Sequence, residues 1–256
     1  LDVLHSYRET ALAQGAVSIL AGATGAVRDA ADGPEFAARV KRDLGIEVRI
    51  LSGREEANLT VAGVMTALSP IPGQGLIFDL GGRSLEFTET KKTEIRQCVS
   101  LDLGAVALTE AFFVSDPPEE SEIQALRSEV RRALSLGLKS FSDKSGDRPV
   151  IGTAGTITTL AAMALKLTAY EPEAVNNFPL KRDILEGLFH HMAGMTAVER
   201  AGLTGLPEKR ADIIVAGTLA ILEIMNFFNI NQIITSDAGL LEGLWLAAAK
   251  KGGSYD

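Results

Sequence analysis

The sequence predicts an α/β layered fold, in which helices cover a central sheet. Short apolar runs that favour strands alternate with longer runs of helical periodicity, and one pair of strands flanks a glycine turn as an antiparallel hairpin. The chain has 256 residues, of which 46% are hydrophobic and 23% are charged. These proportions are typical of a globular chain with a large core, and they exclude a disordered or collagen-like protein.

The first 68 residues alternate between helical and β-prone runs. In chain order they predict a helix over 1–12, a strand at 17–21, a helix over 34–44, a strand at 46–51 and a helix that ends near Leu68. Ser52 and Glu55 match a capping box, so we expect the last helix to begin at this pair. The Pro- and Gly-rich run 69–75 breaks both helices and strands, and it therefore predicts a domain boundary.

The rest of the chain predicts one hairpin, further strands and several longer helices. The strands are expected at 76–80, 85–90, 98–103 and 232–235, and the helices over 105–113, 119–138, 157–165, 180–192, 210–228 and 240–250. The polar run 140–148 predicts a surface loop. Strands that alternate with helices in this way favour one layered sheet over an all-helical fold.

Charge and cysteine content exclude several classes of protein. The chain has 25 Lys and Arg against 33 Asp and Glu, a net charge of −8, which argues against nucleic acid or an anionic membrane as a partner. The sequence contains no uninterrupted apolar run of 18 residues, so it predicts no membrane span. Cys98 is the single cysteine, so no internal disulfide forms, and we expect it in the core of a cytoplasmic protein.

The clearest chemical motif is a buried strand that delivers Asp79 to the turn Gly81-Gly82. Glycines let backbone N–H groups approach an anion closely. Asp79 and Glu86 offer oxygen ligands for Mg²⁺, and Arg83 and Ser84 offer hydrogen-bond donors to phosphate oxygens. The alternative is an ordinary hairpin with a charged tip, because Gly-Gly turns are common.

A second glycine turn, residues 152–156, opens a buried helix. Free N–H groups and the helix dipole favour an anion at such a position. The alternative is ordinary helix capping by Thr153 or Thr156. The sequence supports both interpretations equally.

Charged side chains near the two turns offer further candidates. Glu55 occupies the capping-box position, so its simplest role is structural. Glu56 has no such role, and it is either a functional carboxylate or an exposed acid that matches the helix dipole. Arg28 is either a solvated arginine at a helix start or a phosphate ligand. His190 and His191 lack the neighbouring ligands that a metal site needs.

Taken in order along the chain, these motifs resemble those of the exopolyphosphatase/guanosine pentaphosphate phosphohydrolase (Ppx/GppA) family. The matching segments are residues 23–30, 52–57, 79–86, 100–110, 152–156, 210–217 and 236–243. The resemblance implies an actin-like fold of two ribonuclease-H-like lobes with a substrate cleft between them. Residues 1–68 would form an incomplete first lobe and residues 69–256 the second, with the closing helix 240–250 packing back on the first lobe.

The resemblance also implies an activity and a set of site residues. Glu56 would be the base that activates water, and Asp79 and Glu86 would hold Mg²⁺. On the resemblance, Arg28, Gly81, Gly82 and Ser84 would bind phosphate. The local chemistry of the two glycine turns adds Arg83, Gly155 and Thr156 as candidate phosphate ligands. The substrate would be inorganic polyphosphate or guanosine pentaphosphate, and the protein a cytoplasmic homodimer. The alternative is a non-catalytic sensor that binds guanosine tetraphosphate or polyphosphate in the same cleft.

The sequence departs from the family pattern at several positions. The family's leading strand, with its aspartate and its first phosphate loop, does not precede Leu1. Arg83 replaces a third glycine, so it either adds positive charge to the site or strains the turn if its φ must be positive. Leu85 replaces a threonine, Gly25 a polar residue and Leu241 an arginine. We expect these departures to affect activity rather than fold.

Overall fold

The computed structural model describes residues 1–68, 73–141 and 148–250. The helices are α1 (Asp2–Ala13), α2 (Gly25–Arg28), α3 (Gly33–Leu44), α4 (Gly53–Ala67), α5 (Ala105–Phe112), α6 (Glu120–Gly137), α7 (Gly155–Ala164), α8 (Pro172–Val175), α9 (Arg182–Ala193), α10 (Ala197–Arg200), α11 (Ile214–Phe227) and α12 (Leu240–Lys250). The strands are β1 (Ala21–Ala23), β2 (Val48–Ile50), β3 (Gln74–Leu80), β4 (Leu85–Lys91), β5 (Glu94–Leu101), β6 (Val150–Thr153), β7 (Pro179–Lys181) and β8 (Gln232–Thr235).

A six-stranded mixed sheet lies at the centre, in the order β5-β4-β3-β6-β8-β7. The strands β3, β4 and β5 form an antiparallel meander, whereas β6 and β8 run parallel to β3. A separate parallel sheet joins β1 and β2. The α/β class and the hairpin around Gly81-Gly82 are therefore confirmed. Because parallel strands end at one edge of a sheet, Asp79 at the end of β3 lies beside Thr153 at the end of β6.

Two apolar cores lie on opposite faces of the sheet. The larger core joins helices such as α6 and α11 to Leu76 and Phe78 of β3, and the smaller one joins Val61 of α4 to Ile77. Side chains alternate between the two faces along a strand. Asp79 therefore shares the face of Ile77, which is the face that α4 covers.

The helices α4 and α12 cross at glycines, which brings their backbones unusually close. A Cβ atom on Gly63 would lie 1.9 Å from the carbonyl oxygen of Gly239, and one on Gly243 would lie 1.9 Å from that of Leu59. Any larger residue would force the helices apart. The closing helix of the chain therefore lies directly against the helix that carries Glu56.

Four predicted elements differ from the structure. The strand predicted at 98–103 begins earlier, at Glu94, because residues 94–97 pair with β4. The strand predicted at 17–21 is wrong, because the pairing with β2 selects residues 21–23 and leaves Val17 fully exposed. The helix predicted from residue 180 starts later, because Leu180 pairs with Ile233 in the sheet. The helix predicted from Arg210 begins at Ile214, after a short 3₁₀ turn. In each case tertiary contacts override the local pattern.

Other local expectations also need correction or lie outside the description. Cys98 is exposed rather than buried, because β5 is an edge strand. Neither Thr153 nor Thr156 caps α7; the hydroxyl of Thr153 donates to the carbonyl of Ala238 instead. Residues 69–72 of the predicted boundary and 142–147 of the predicted loop lie outside the described residues. Across the described ranges, no helix combines the length and the apolar character needed to cross a membrane.

Candidate active site

An open cleft of about 760 Å³ lies where the carboxyl end of β3 faces the α2 segment. Its walls include eight of the residues that the sequence singles out, which come from α2, α4, β3, β4 and the turn between the two strands. They are Arg28, Glu56, Asp79, Gly81, Gly82, Arg83, Ser84 and Glu86. Residues separated by up to 58 positions in the chain therefore meet in one place.

Asp79 and Glu86 form a half-buried acidic pair in the wall of the cleft. They are directly opposite each other in the antiparallel register of β3 and β4, so both point to the α4 face. Burial, with the nearby charges of Glu86 and Glu56, raises the pKa of Asp79 to about 7. Burial also raises the pKa of Glu86, although hydrogen bonds from Ser84 and Ser100 oppose that shift. A cation between the two carboxyl groups would stabilise their charged forms.

The two adjacent glutamates at the start of α4 have different environments. Glu55 accepts the backbone N–H of Ser52 at 3.0 Å, and the hydroxyl of Ser52 accepts the N–H of Glu55 at 3.3 Å, which completes the predicted capping box. The bonds from Ser52 lower the pKa of Glu55 to about 2. Glu56 is not needed for the cap, and its side chain points into the cleft with 21% of its surface exposed.

Arg28 is held in the cleft rather than solvated at a helix start. It is the last residue of the short α2, and its Nη1 donates to Glu56 Oε2 at 3.0 Å and to the carbonyl of Leu51 at 3.2 Å. Its Nε donates to Asp29 at 3.2 Å. The hydrogen bond to Glu56 raises the pKa of Arg28. The candidate base and a candidate phosphate ligand are thus already in contact.

The N-terminus of α5 orients the glycine turn. The bonds run from Ala105 N–H to Gly81 O at 2.9 Å, from Val106 and Ala107 N–H to Gly82 O at 2.9 and 3.0 Å, and from Gly104 N–H to Arg83 O at 3.1 Å. In a trans peptide the N–H points away from the carbonyl. The N–H groups of Gly82, Arg83 and Ser84 therefore point away from α5, and none of them donates to an acceptor among the described residues.

Three outward N–H groups on one turn form a concave site for an anion. Gly104 permits this arrangement, because a Cβ atom there would lie 2.3 Å from the backbone of Arg83. Arg83 does not have a positive φ, so the arginine fits the turn without backbone strain. The motif at 100–110 indicates no chemical role from its sequence alone. In the structure it supports the turn. Ser100 and Asp102 of this motif also line the cleft.

Gly155 and Thr156 lie elsewhere on the same sheet edge. They begin α7, but neither residue lines the cleft. The guanidinium of Arg210 donates to the carbonyl of Gly155 at 2.8 Å and to the hydroxyl of Thr159 at 2.6 Å. Thr156 is buried against Gly217. Phosphate binding by these two residues stays a prediction.

The acidic pair suits a magnesium ion, which takes few ligands from the protein, better than a metal that needs three or more side-chain ligands. Within the described ranges, no group of three His, Cys, Asp or Glu side chains has the geometry to hold a metal. Mg²⁺ commonly binds through one or two carboxylates, substrate phosphates and water. Asp79 and Glu86 supply two such carboxylates beside the glycine turn. The donor set is therefore chemically suited to Mg²⁺.

The chain is similar to known phosphatases in sequence and in fold. Residues 1–251 match the Ppx/GppA phosphatase family. Exopolyphosphatase 2 of Mycobacterium tuberculosis (strain ATCC 25618 / H37Rv) is 32% identical over 240 residues, which are 89% of this chain and 73% of that protein. The crystal structure of the Aquifex aeolicus family member is 31% identical, with a TM-score of 0.82 over 99% of this chain and 81% of that one. An exopolyphosphatase structure from Cytophaga hutchinsonii ATCC 33406 is 26% identical, with a TM-score of 0.87 over 98% of this chain and 80% of that one.

Proposed function

Because this chain belongs to the Ppx/GppA phosphatase family, we propose that it releases the terminal phosphate of inorganic polyphosphate or of guanosine pentaphosphate. It has the α/β, actin-like fold of the family's solved structures and is a hydrolase. One observation carries the proposal: the carboxylate of Glu56, a half-buried acidic pair and a turn whose three outward N–H groups have no acceptor among the described residues line one cleft. These parts match what hydrolytic phosphoryl transfer needs, namely positioning and neutralisation of charge.

The proposed reaction uses Glu56 as the general base. Glu56 accepts a proton from a water molecule as the water oxygen bonds to the terminal phosphorus, and the phosphoanhydride bond to the rest of the chain breaks. The N–H groups of Gly82, Arg83 and Ser84 stabilise the charge on the transferred phosphoryl oxygens. Mg²⁺, when bound to Asp79 and Glu86, would supply positive charge to the same oxygens.

The ion pair between Arg28 and Glu56 fits this sequence of events. Arg28 donates to Glu56 at 3.0 Å in the substrate-free protein. A phosphate group in the cleft offers Arg28 a more highly charged acceptor with bidentate geometry. We expect Arg28 to turn to the phosphate, which leaves Glu56 free to accept a proton.

Replacement of Glu56 by Gln tests the assignment of the base. Glu56→Gln should lower kcat for phosphate release at least about 100-fold, since general bases contribute that much or more. Binding of tripolyphosphate should persist, because the turn and Arg28 remain. Phosphate release and calorimetric binding are measured with polyphosphate and with guanosine pentaphosphate as substrates.

Glu55→Gln is the matched control, because it removes the same charge from the adjacent residue and glutamine still completes a capping box. It should keep kcat close to the unmodified value. Full activity in Glu56→Gln would contradict the role of Glu56. Tight binding without phosphate release by the unmodified chain would instead favour the sensor.

We also propose that the protein works in the cytoplasm as a Mg²⁺-dependent homodimer. Its acidic composition and single, unpaired cysteine are compatible with a reducing compartment. Sedimentation velocity at several concentrations tests the dimer. A monomer at all concentrations would contradict it.

A further inference from the structure

Arg83 lines the cleft with an exposed side chain. Its backbone N–H belongs to the anion-binding turn, but its side chain is 70% exposed. Arg28 and Arg83 are the two cationic side chains among the described residues that line the cleft. Arg28 already contacts Glu56, so Arg83 supplies the positive charge at the solvent side.

The guanidinium of Arg83 is held by a weak and exchangeable partner. Its Nη1 donates to Glu110 Oε2 at 2.8 Å, and 63% of the Glu110 side chain is exposed. Exposed ion pairs of this kind contribute little to stability, because water screens both charges. A phosphate group binds a guanidinium through two parallel hydrogen bonds and carries more charge. Exchange of Glu110 for a phosphate is therefore favourable.

The backbone of Arg83 stays fixed while its side chain can move. The carbonyl of Arg83 accepts the N–H of Gly104 at 3.1 Å, and the carbonyl of Gly82 accepts two N–H groups of α5. Five carboxylates also line the cleft: Asp29, Glu56, Asp79, Glu86 and Asp102. A chain of phosphates that extends from the turn to the solvent needs a cation to offset this charge.

We propose that Arg83 releases Glu110 and binds the phosphate group behind the one that is transferred. The inference rests on the proposed function, and it names the substrate class of that site: polyanions with at least two linked phosphates. The N–H groups of the turn and Arg28 then bind the terminal phosphate, and the side chain of Arg83 recognises the continuation of the chain. The guanidinium of Arg83 thus determines specificity, whereas its backbone N–H belongs to the site of the reacting group.

Equilibrium binding of three inorganic ligands tests this assignment without requiring turnover. Calorimetry with Mg²⁺ compares orthophosphate, pyrophosphate and tripolyphosphate on the full chain carrying Glu56→Gln, which prevents turnover, and on the same chain with Arg83→Gln added; every other variant is compared in the same Glu56→Gln background. The variant should bind pyrophosphate and tripolyphosphate about 10-fold more weakly, the range of a lost charge-assisted hydrogen bond. Its affinity for orthophosphate should change less than about 2-fold. Glu110→Gln should bind tripolyphosphate as tightly as the unmodified chain or more tightly.

The pair Arg132 and Glu129 provides matched controls. These residues form an exposed ion pair at 2.6 Å on α6 and do not line the cleft. Arg132→Gln changes the net charge by the same amount as Arg83→Gln, and Glu129→Gln by the same amount as Glu110→Gln. Both control variants should leave all three affinities unchanged. Equal weakening of orthophosphate and tripolyphosphate in Arg83→Gln, or no weakening of either, would overturn the inference. Absence of phosphate release by the unmodified chain would count against the proposed function only.

Discussion

Asp79 shows how strongly one buried position changes the chemistry of a carboxyl group. Burial and the charges of Glu86 and Glu56 raise its pKa from the ordinary 3.8 to about 7. Without a cation, Asp79 is therefore partly protonated at neutral pH. Protons and Mg²⁺ compete for the same oxygens, so magnesium binding should weaken as the pH falls below about 7.

Asp79→Asn should raise the Mg²⁺ concentration needed for half-maximal activity by about 10-fold or more, because the amide is a neutral and weaker ligand. Magnesium titrations of phosphate release measure this shift. Glu55→Gln is again the charge-matched control. An unchanged titration would remove Asp79 from the metal site.

The raised pKa also predicts the pH dependence of stability in the metal-free protein. Between pH 4 and pH 7 the folded state binds a proton at Asp79 that the unfolded state has released. Stability from this group is thus lost as the pH rises through that window. Thermal unfolding of Asp79→Asn in a chelator should therefore vary less with pH, with a Tm a few degrees higher at pH 7. A parallel pH profile would contradict this.

At the scale of single residues, sequence reasoning identified candidates but not their partners. Glu55 is assigned correctly, because the capping box is a local signal that spans four residues. The contact between Arg28 and Glu56 joins positions 28 residues apart, and no local pattern encodes it. The environment of Cys98 also depended on tertiary structure, since an edge strand exposes a residue that composition alone would bury.

At the scale of elements, the contact between α4 and α12 fixes the position of Glu56. Gly243→Ala would place a methyl group 1.9 Å from the carbonyl oxygen of Leu59, one helical turn from Glu56. We expect a lower Tm and a kcat reduced by about 10-fold or more, because small displacements of catalytic groups are costly. Differential scanning fluorimetry and phosphate release measure the two effects.

Gly187→Ala is the control for this helix substitution. Gly187 lies within α9, and a Cβ atom there would meet no atom within 4 Å. Alanine should therefore raise stability by about 0.5–1 kcal/mol through its higher helix propensity. Unchanged Tm and kcat in Gly243→Ala would show that the helices adjust without moving Glu56.

Elements were predicted well where a local signal fixes them and poorly where pairing does. The hairpin and the helices α5 and α6 follow from glycine, proline and amphipathic patterns. The three-residue strands β1 and β7 exist because a neighbouring strand pairs with them. Such short strands leave almost no pattern of their own in the sequence.

At the scale of the whole molecule, a protein of net charge −8 has to attract a polyanion. On the proposed function the attraction would be local, from Arg28, Arg83 and Mg²⁺, and would act against the overall field. Raising NaCl from about 0.05 to 0.3 M shortens the screening length markedly. We expect KM for long polyphosphate to rise several-fold while kcat changes little. Steady-state kinetics at fixed Mg²⁺ test this; a KM independent of salt would contradict it.

Because α5 supports the glycine turn through main-chain hydrogen bonds, relatives can differ in the side chains of the turn. In the proposed site main-chain N–H groups bind the phosphate, and the main-chain carbonyls on the opposite side of the turn, which accept hydrogen bonds from α5, fix those groups in place. Side chains on the turn can therefore mutate without dismantling recognition of the phosphate. An arginine at position 83 is one such change. A scaffold of this kind lets natural selection retune what a hydrolase accepts while the chemistry stays intact.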